Sequence, residues 1–252
     1  MMNITPVVKQ LLIINILFFI GSQLVPASYD LFALYYPESD KFKGWQLVTH
    51  MFMHAPFPNI THILFNMFAL YSFGSALEHF WGGKKFLFFY VSCGLGAALL
   101  HTGVNYYYFQ EGISTLTANG FVKADILQTL NEGKINTRWQ DLMSAIDFEN
   151  FTSSYFGTVV GASGAIYGLL VAFAFMVPNA ELALMFIPVP IKAKYFVPGI
   201  LAIDLFLGFK GQSIFGAGST GIAHFAHIGG ALTGFIMMWY WKKNQFNKNR
   251  WN

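Results

Sequence analysis

A serine hydroxyl set among small residues is the first feature of this chain that could do chemistry. Ser163 lies in Gly161-Ala162-Ser163-Gly164-Ala165-Ile166-Tyr167-Gly168, which opens an apolar run to Val177. On a helix, Ser163 and Tyr167 stack on one face. Gly164 and Gly168 then form a small-xxx-small strip that lets another helix come close. The ordinary role of such a serine is packing. It becomes a nucleophile only where a base takes its proton and donors receive the oxyanion that forms.

The later run Ala223-His224-Phe225-Ala226-His227-Ile228-Gly229-Gly230-Ala231-Leu232-Thr233-Gly234 offers the base. His227, Gly230 and Gly234 share a helix face, and Gly230-xxx-Gly234 matches Gly164-xxx-Gly168. If the two strips pack, His227 comes near Ser163, where a neutral imidazole accepts its proton. His224, one turn earlier, competes for this role, but the spacing to Gly230 and Gly234 favours His227. His62 and Asn66 also share a face, and both can donate toward an oxyanion alongside the Ser163 backbone N–H. The plainer reading of that pair is interhelical hydrogen bonding. No aspartate is evident beside His227, so the economical pattern is a dyad. Asp204 has no obvious partner in the sequence and stays unassigned. Glu78, next to His79, reads as a buried anchor or an interfacial residue. A competing reading makes His62, His224, His227 and Asp204 the relay of a small transporter or proton channel. Such a relay has no need of Gly-x-Ser-Gly.

The elements that must position these residues are apolar. The chain is 55% hydrophobic and 11% charged, against about 25% charged in soluble domains. Its long apolar runs alternate with short loops, the pattern of a multi-pass membrane protein. Six runs read as spans, at about 7–25, 60–80, 86–109, 161–177, 196–209 and 222–241. The first, with a weak Val25-Pro26-Ala27 cleavage pattern, is expected to be retained as a span. The segment 182–189 contains Pro188 and is too short to cross. A glycine-rich loop is expected over 210–221. Residues 110–155 carry six acids, and Val122, Ile126, Leu127 and Leu130 recur at helical spacing up to Gly133. Trp139, Leu142, Met143 and Ile146 repeat the pattern after Asn136-Thr137, plausible N-caps. This insertion reads as an amphipathic helical hairpin at the membrane surface.

With six spans both termini lie on one side, which collects nine of the fifteen Lys and Arg residues. That bias places the termini in the cytoplasm. Ser163, the Trp45 loop and the insertion then face outward, and the expected host is a bacterial inner membrane. The net charge of +3 comes with no basic patch, so nucleic acid is not an expected partner. Cys93 is the single cysteine, and no CxxC, HExxH or phosphate-loop motif occurs. His50, His54 and His62 lack a carboxylate or cysteine neighbour for a metal site. Neither a metal nor a cofactor is expected.

Taken together, these residues resemble the rhomboid family of intramembrane serine proteases. The resemblance covers nearly the whole chain. It rests on Trp45 in the first loop, His62-xxx-Asn66 in the second span, Gly161-Ala162-Ser163-Gly164 opening the fourth and Ala226-His227-xx-Gly230-xxx-Gly234 in the sixth. It implies an all-α, six-helix membrane bundle with an outward-facing helical insertion between spans three and four. It implies Ser163 as nucleophile, His227 as base, and His62 and Asn66 as oxyanion donors. Tyr167 is expected to pack against His227, and Gly161, Gly164, Gly230 and Gly234 to support the site. The implied partners are the lipid bilayer and single-span membrane proteins, cut near the outer boundary. An inactive rhomboid-like binder that escorts such clients is disfavoured by the intact Ser163 and His227. Two features depart from the family pattern. Trp45 is followed by Gln46 rather than Arg, and the 110–155 insertion is long.

Overall fold

The computed structural model describes residues 3–184, 187–210 and 222–248. Helix α1 (Pro6–Leu24) starts with proline in its first turn, where a missing N–H costs nothing. Its remaining first-turn amides find an acceptor across the fold. The Glu78 carboxylate takes hydrogen bonds from the amides of Val7 (3.0 Å) and Val8 (2.9 Å) and from the Thr5 hydroxyl (2.5 Å). Glu78 is therefore a cap supplied by a distant helix, and its charge sits where the helix dipole favours an anion.

A loop region with two short helices follows, α2 (Ser28–Phe32) and α3 (Gln46–Thr49). Gln46 is fully buried. Its amide donates to the carbonyls of Asp30 (3.2 Å) and Lys41 (3.0 Å), while its oxygen accepts from the Lys43 amide (3.1 Å). A neutral amide thus holds this loop together, at the position noted above as departing from arginine. Trp45 closes the same turn through its indole N–H on the Leu31 carbonyl, 2.8 Å away.

The second apolar run is not one regular helix. It consists of α4 (Ile60–Ala69), a π turn over Leu70–Gly74 and α5 (Ser75–Trp81). Such a turn inserts an extra residue into the helical register, and hydropathy does not reveal it. Helix α6 (Gly83–Ala118) is longer than the span expected at 86–109. It continues to Ala118 because Phe109, Ile113 and Leu116 stay buried against the insertion. The insertion itself differs from a two-helix hairpin. Helix α7 (Lys123–Asn131) ends before Gly133 at φ 71°, as its sequence implied. The next segment divides into a 3-10 turn over Thr137–Leu142 and helix α8 (Ala145–Phe156). Each has its own cap: Asn136 accepts from the Arg138 amide, and Ser144 accepts from the Asp147 amide. Two strong caps so close together break the chain between them.

Helix α9 (Ser163–Met176) is apolar and short. A two-stranded antiparallel hairpin follows, β1 (Glu181–Leu184) and β2 (Ile187–Lys192), occupying the segment judged too short to cross. Helices α10 (Ala193–Lys210) and α11 (Ile222–Lys248) complete the fold. The glycine-rich stretch expected after Lys210 lies outside the described residues. Among the described residues, three helical stretches are long and apolar enough to cross a membrane: Pro6–Leu24, Ile60–Trp81 and Gly83–Ala118. The main core gathers α1, α5, α6, α9 and α11 around Phe86, Phe89, Tyr90, Cys93 and Leu169.

Candidate active site

The site forms where α9 and α11 touch almost backbone to backbone. A Cβ placed on Gly230 would lie 1.8 Å from the Gly164 carbonyl oxygen, and one on Gly234 would lie 2.8 Å from the Gly168 Cα. A Cβ on Gly164 would lie 2.5 Å from the Ala97 Cβ of α6, so this contact is a three-helix junction. The two glycine strips singled out in the sequence pack on one another. Side chains just N-terminal to the contact on both helices are drawn together as a result.

Those side chains are Ser163 and His227. The Ser163 Oγ lies 2.9 Å from His227 Nε2, within hydrogen-bond range. Tyr167, one turn below Ser163, stacks flat on the His227 ring with centroids 4.2 Å apart and planes 7° from parallel. The stack fixes the imidazole plane, and the hydrogen bond fixes its rotation within that plane. For Nε2 to accept from the serine O–H, the ring proton must sit on Nδ1.

Gly161 shapes the other side of the serine. Its φ of 127° is a conformation that glycine alone adopts without strain. A Cβ there would come within 3.0 Å of His62 Nε2 and 3.5 Å of Ser163 Oγ. The missing side chain leaves a small space bordered by the serine oxygen and a ring nitrogen. His62 Nδ1 accepts from the Ala55 amide at 3.1 Å, so the neutral ring carries its proton on Nε2, facing this space. Ser163 is the first residue of α9, and the first amides of a helix have no intrahelical acceptor. The space is therefore lined with donors. Asn66 is linked to it through His62: the Asn66 amide donates to the His62 carbonyl at 2.7 Å. Among the described residues, the Asn66 side-chain oxygen has no hydrogen-bond partner.

The loop before α9 is held by the first loop region. Leu34 and Val159 exchange two backbone hydrogen bonds of 3.0 Å, and the Gly161 amide donates to the His50 carbonyl at 2.9 Å. His50 is buried with Nδ1 on the Gln46 carbonyl at 2.8 Å. The structure therefore gives His50 a scaffolding place. His54 and His62 have ring centroids 5.2 Å apart, but each ring uses Nδ1 on a backbone group.

One residue left unassigned by the sequence joins the site. Asp204 of α10 is 3% exposed and lies under both histidines of α11. Its Oδ1 is 2.5 Å from His224 Nδ1, and its Oδ2 is 3.5 Å from His227 Nδ1. The Tyr167 hydroxyl lies beside the same carboxylate. The missed signal was the pair His224 and His227, one turn apart on a single face. A buried carboxylate can bridge two such rings, but the sequence did not say that α10 would supply it.

The rhomboid domain model matches residues 41–244, more than half of the chain. The chain belongs to the rhomboid family. It is 29% identical over 186 residues to an uncharacterized mitochondrial rhomboid protein of Schizosaccharomyces pombe, covering 68% of this chain and 43% of that protein. It is 26% identical over 203 residues to the rhomboid protease AarA of Providencia stuartii, covering 77% of this chain and 54% of that protein. The chain thus spans about half the length of the curated relatives it matches. Family membership and the long apolar helices together make it an integral membrane protein.

Proposed function

We propose that this rhomboid chain is an intramembrane serine endopeptidase. The observation that carries the reading is the 2.9 Å contact between Ser163 Oγ and His227 Nε2, with Tyr167 stacked on the imidazole. Ser163 attacks the scissile carbonyl while His227 Nε2 takes its proton. The tetrahedral oxyanion enters the space beside Gly161. His62 Nε2–H, the Ser163 amide and the second N–H of the Asn66 amide are the donors it meets. His227 then returns the proton to the leaving amine, which departs as the C–N bond breaks. Water, deprotonated by the same ring, hydrolyses the acyl-enzyme and regenerates Ser163.

The proposed architecture is six spans at about 7–25, 60–80, 86–109, 161–177, 196–209 and 222–241. The 110–155 insertion lies on the outer side, and both termini are in the cytoplasm of a bacterial cell. The substrates are single-span membrane proteins cut near the outer boundary. A substrate helix hydrogen-bonds its own carbonyls, so it must unwind before one reaches Ser163. Helix-breaking or small residues near the scissile bond ease that step.

The reading is tested by reconstituting the full chain in vesicles with a single-span substrate that carries glycine or proline near its outer end. Cleavage is expected with the parent, and loss of cleavage with Ser163→Ala and with His227→Ala. Cutting that survives Ser163→Ala contradicts the proposal. So does a parent that leaves a panel of such substrates intact.

A further inference from the structure

Asp204 has no place in the two-residue chemistry described above, yet its environment is specific. It is a carboxylate buried among three aromatic side chains, His224, His227 and Tyr167. Burying an ionised carboxylate is costly unless hydrogen bonds compensate. The 2.5 Å bond from His224 satisfies Oδ1 and fixes the orientation of the group. The other oxygen is thereby aimed at His227. Oδ2 of Asp204 and Nδ1 of His227 both lack a hydrogen-bond partner among the described residues, and they face one another at 3.5 Å.

Asp204, His224 and His227 could instead hold a metal ion, since their ligand atoms all lie within 4.8 Å of one another. Two ligands on a tetrahedral zinc ion, each about 2.0–2.1 Å from the metal, would stand about 3.3 Å apart. The 2.5 Å separation between Asp204 and His224 is that of a hydrogen bond. It favours a proton between the two groups over a cation.

We infer that Asp204 is a positioning residue that acts through His227, turning the Ser163–His227 pair into a serine–histidine–aspartate chain with His224 as its clamp. The inference rests on the serine protease reading. Ser163 needs His227 in one tautomer, with the proton on Nδ1. An acceptor facing Nδ1 holds that tautomer. When His227 takes the serine proton it becomes a cation, and the carboxylate opposite stabilises the charge as the remaining separation closes. Stacking on Tyr167 sets the ring plane but does not choose between tautomers. Asp204 supplies that choice.

The experiment compares the full-length parent, Ser163→Ala, Asp204→Asn and Asp204→Glu in detergent. It records thermal melting, kcat and KM for a single-span substrate, and the rate of labelling by a serine-directed fluorophosphonate. An asparagine can donate to Nδ1 and hold the wrong tautomer, which costs about 10⁴-fold in a soluble triad. With the longer 3.5 Å approach, Asp204→Asn is expected to lower kcat by about 100-fold or more. KM should change by less than about two-fold, because ground-state binding is untouched. Asp204→Glu should recover at least ten-fold over Asn, which a purely structural role would not require. A folded Asp204→Asn with parental kcat and labelling rate overturns the inference. A loss confined to KM also overturns it, as does a folded Asp204→Glu no faster than Asn.

A second measurement needs no substitution at 204. In parent protein carrying ¹⁵N-histidine, phosphonylation of Ser163 should produce a strongly deshielded, exchange-protected His227 Nδ1–H resonance. An ordinary, rapidly exchanging imidazolium proton there overturns the inference. Labelling also separates the two levels. A parent that does not label, or a Ser163→Ala that does, removes the protease reading and this role with it. Parental labelling in Asp204→Asn removes only the role of Asp204.

Discussion

The junction of α6, α9 and α11 and the insertion over 119–156 are built on opposite principles. At the junction the contacts come from what is missing: glycines let one backbone rest against another. In the insertion they come from what is present: its Trp139, Phe151 and Tyr155 fill a separate core with Phe109 of α6 and Tyr36 of the first loop region. Phe109 and Phe151 stack with centroids 5.2 Å apart, and Trp139 meets Phe151 edge-on at 5.9 Å. Where little hydrophobic force acts between helices, close fit and small residues must do the joining. A segment with large rings of its own can instead join by burying them. The junction tolerates no added atoms, and the insertion tolerates no lost ones.

Adding atoms at the junction should do the most damage. The Cβ of Gly230→Ala would fall 1.8 Å from a backbone oxygen, which cannot move aside as a side chain can. We expect a loss of cleavage of more than about 100-fold, since a 1 Å displacement of a catalytic group already costs about that much. Parental cleavage by Gly230→Ala would break the comparison. Gly161→Ala tests the site's other wall. Its methyl group would enter the donor-lined space, and removal of one oxyanion donor costs about 100- to 1000-fold. The same change places alanine at φ 127°, at a cost of about 1–3 kcal/mol. Activity should therefore fall much further than melting temperature.

Removing atoms from the insertion should have the reverse profile. Trp139→Ala is expected to cost about 3–5 kcal/mol of local stability. The insertion should become sensitive to trypsin, while phosphonate labelling of Ser163 in intact protein stays within about three-fold of the parent. A proportionate loss of labelling would show that the two regions are not separable.

The smallest effect concerns pH. Burial lowers the His50 pKa to about 4 and the His54 pKa to about 3. Both values lie below the unfolded value of about 6.5, so below that pH the unfolded chain binds protons that the folded chain does not. Stability is then full above about pH 6.5 and declines as pH falls toward 4, by about 1.4 kcal/mol per pH unit for each histidine. Melting temperature should fall steeply between pH 6 and pH 4.5. His50→Gln should make that slope shallower, and an unchanged slope would show that His50 does not titrate this way.

Much of the junction was legible in the sequence because its signal is local. Gly164 and Gly168 lie four residues apart, as do Gly230 and Gly234, and spacing alone assigns each pair to one helix face. Ser163 and His227 follow from those faces. Asp204 was not legible, because its partners stand on another helix and no spacing links α10 to α11. The π turn at Leu70–Gly74 was hidden because apolar composition does not distinguish it from regular helix. In the insertion, the apolar periodicity located α7, but the caps at Asn136 and Ser144 decided where the later turns end. The hub at Gln46 was hidden for a different reason. Its partners are backbone carbonyls, which any sequence possesses.

The claim on which the rest depends is that close helix contact makes Ser163 a nucleophile. It is tested most directly by treating the detergent-purified chain with a serine-directed fluorophosphonate and mapping the adduct by mass spectrometry. The expected result is one adduct, on Ser163, that disappears in His227→Ala and falls sharply in Gly230→Ala. An adduct on another residue, or parental labelling of Ser163 after either substitution, would contradict it.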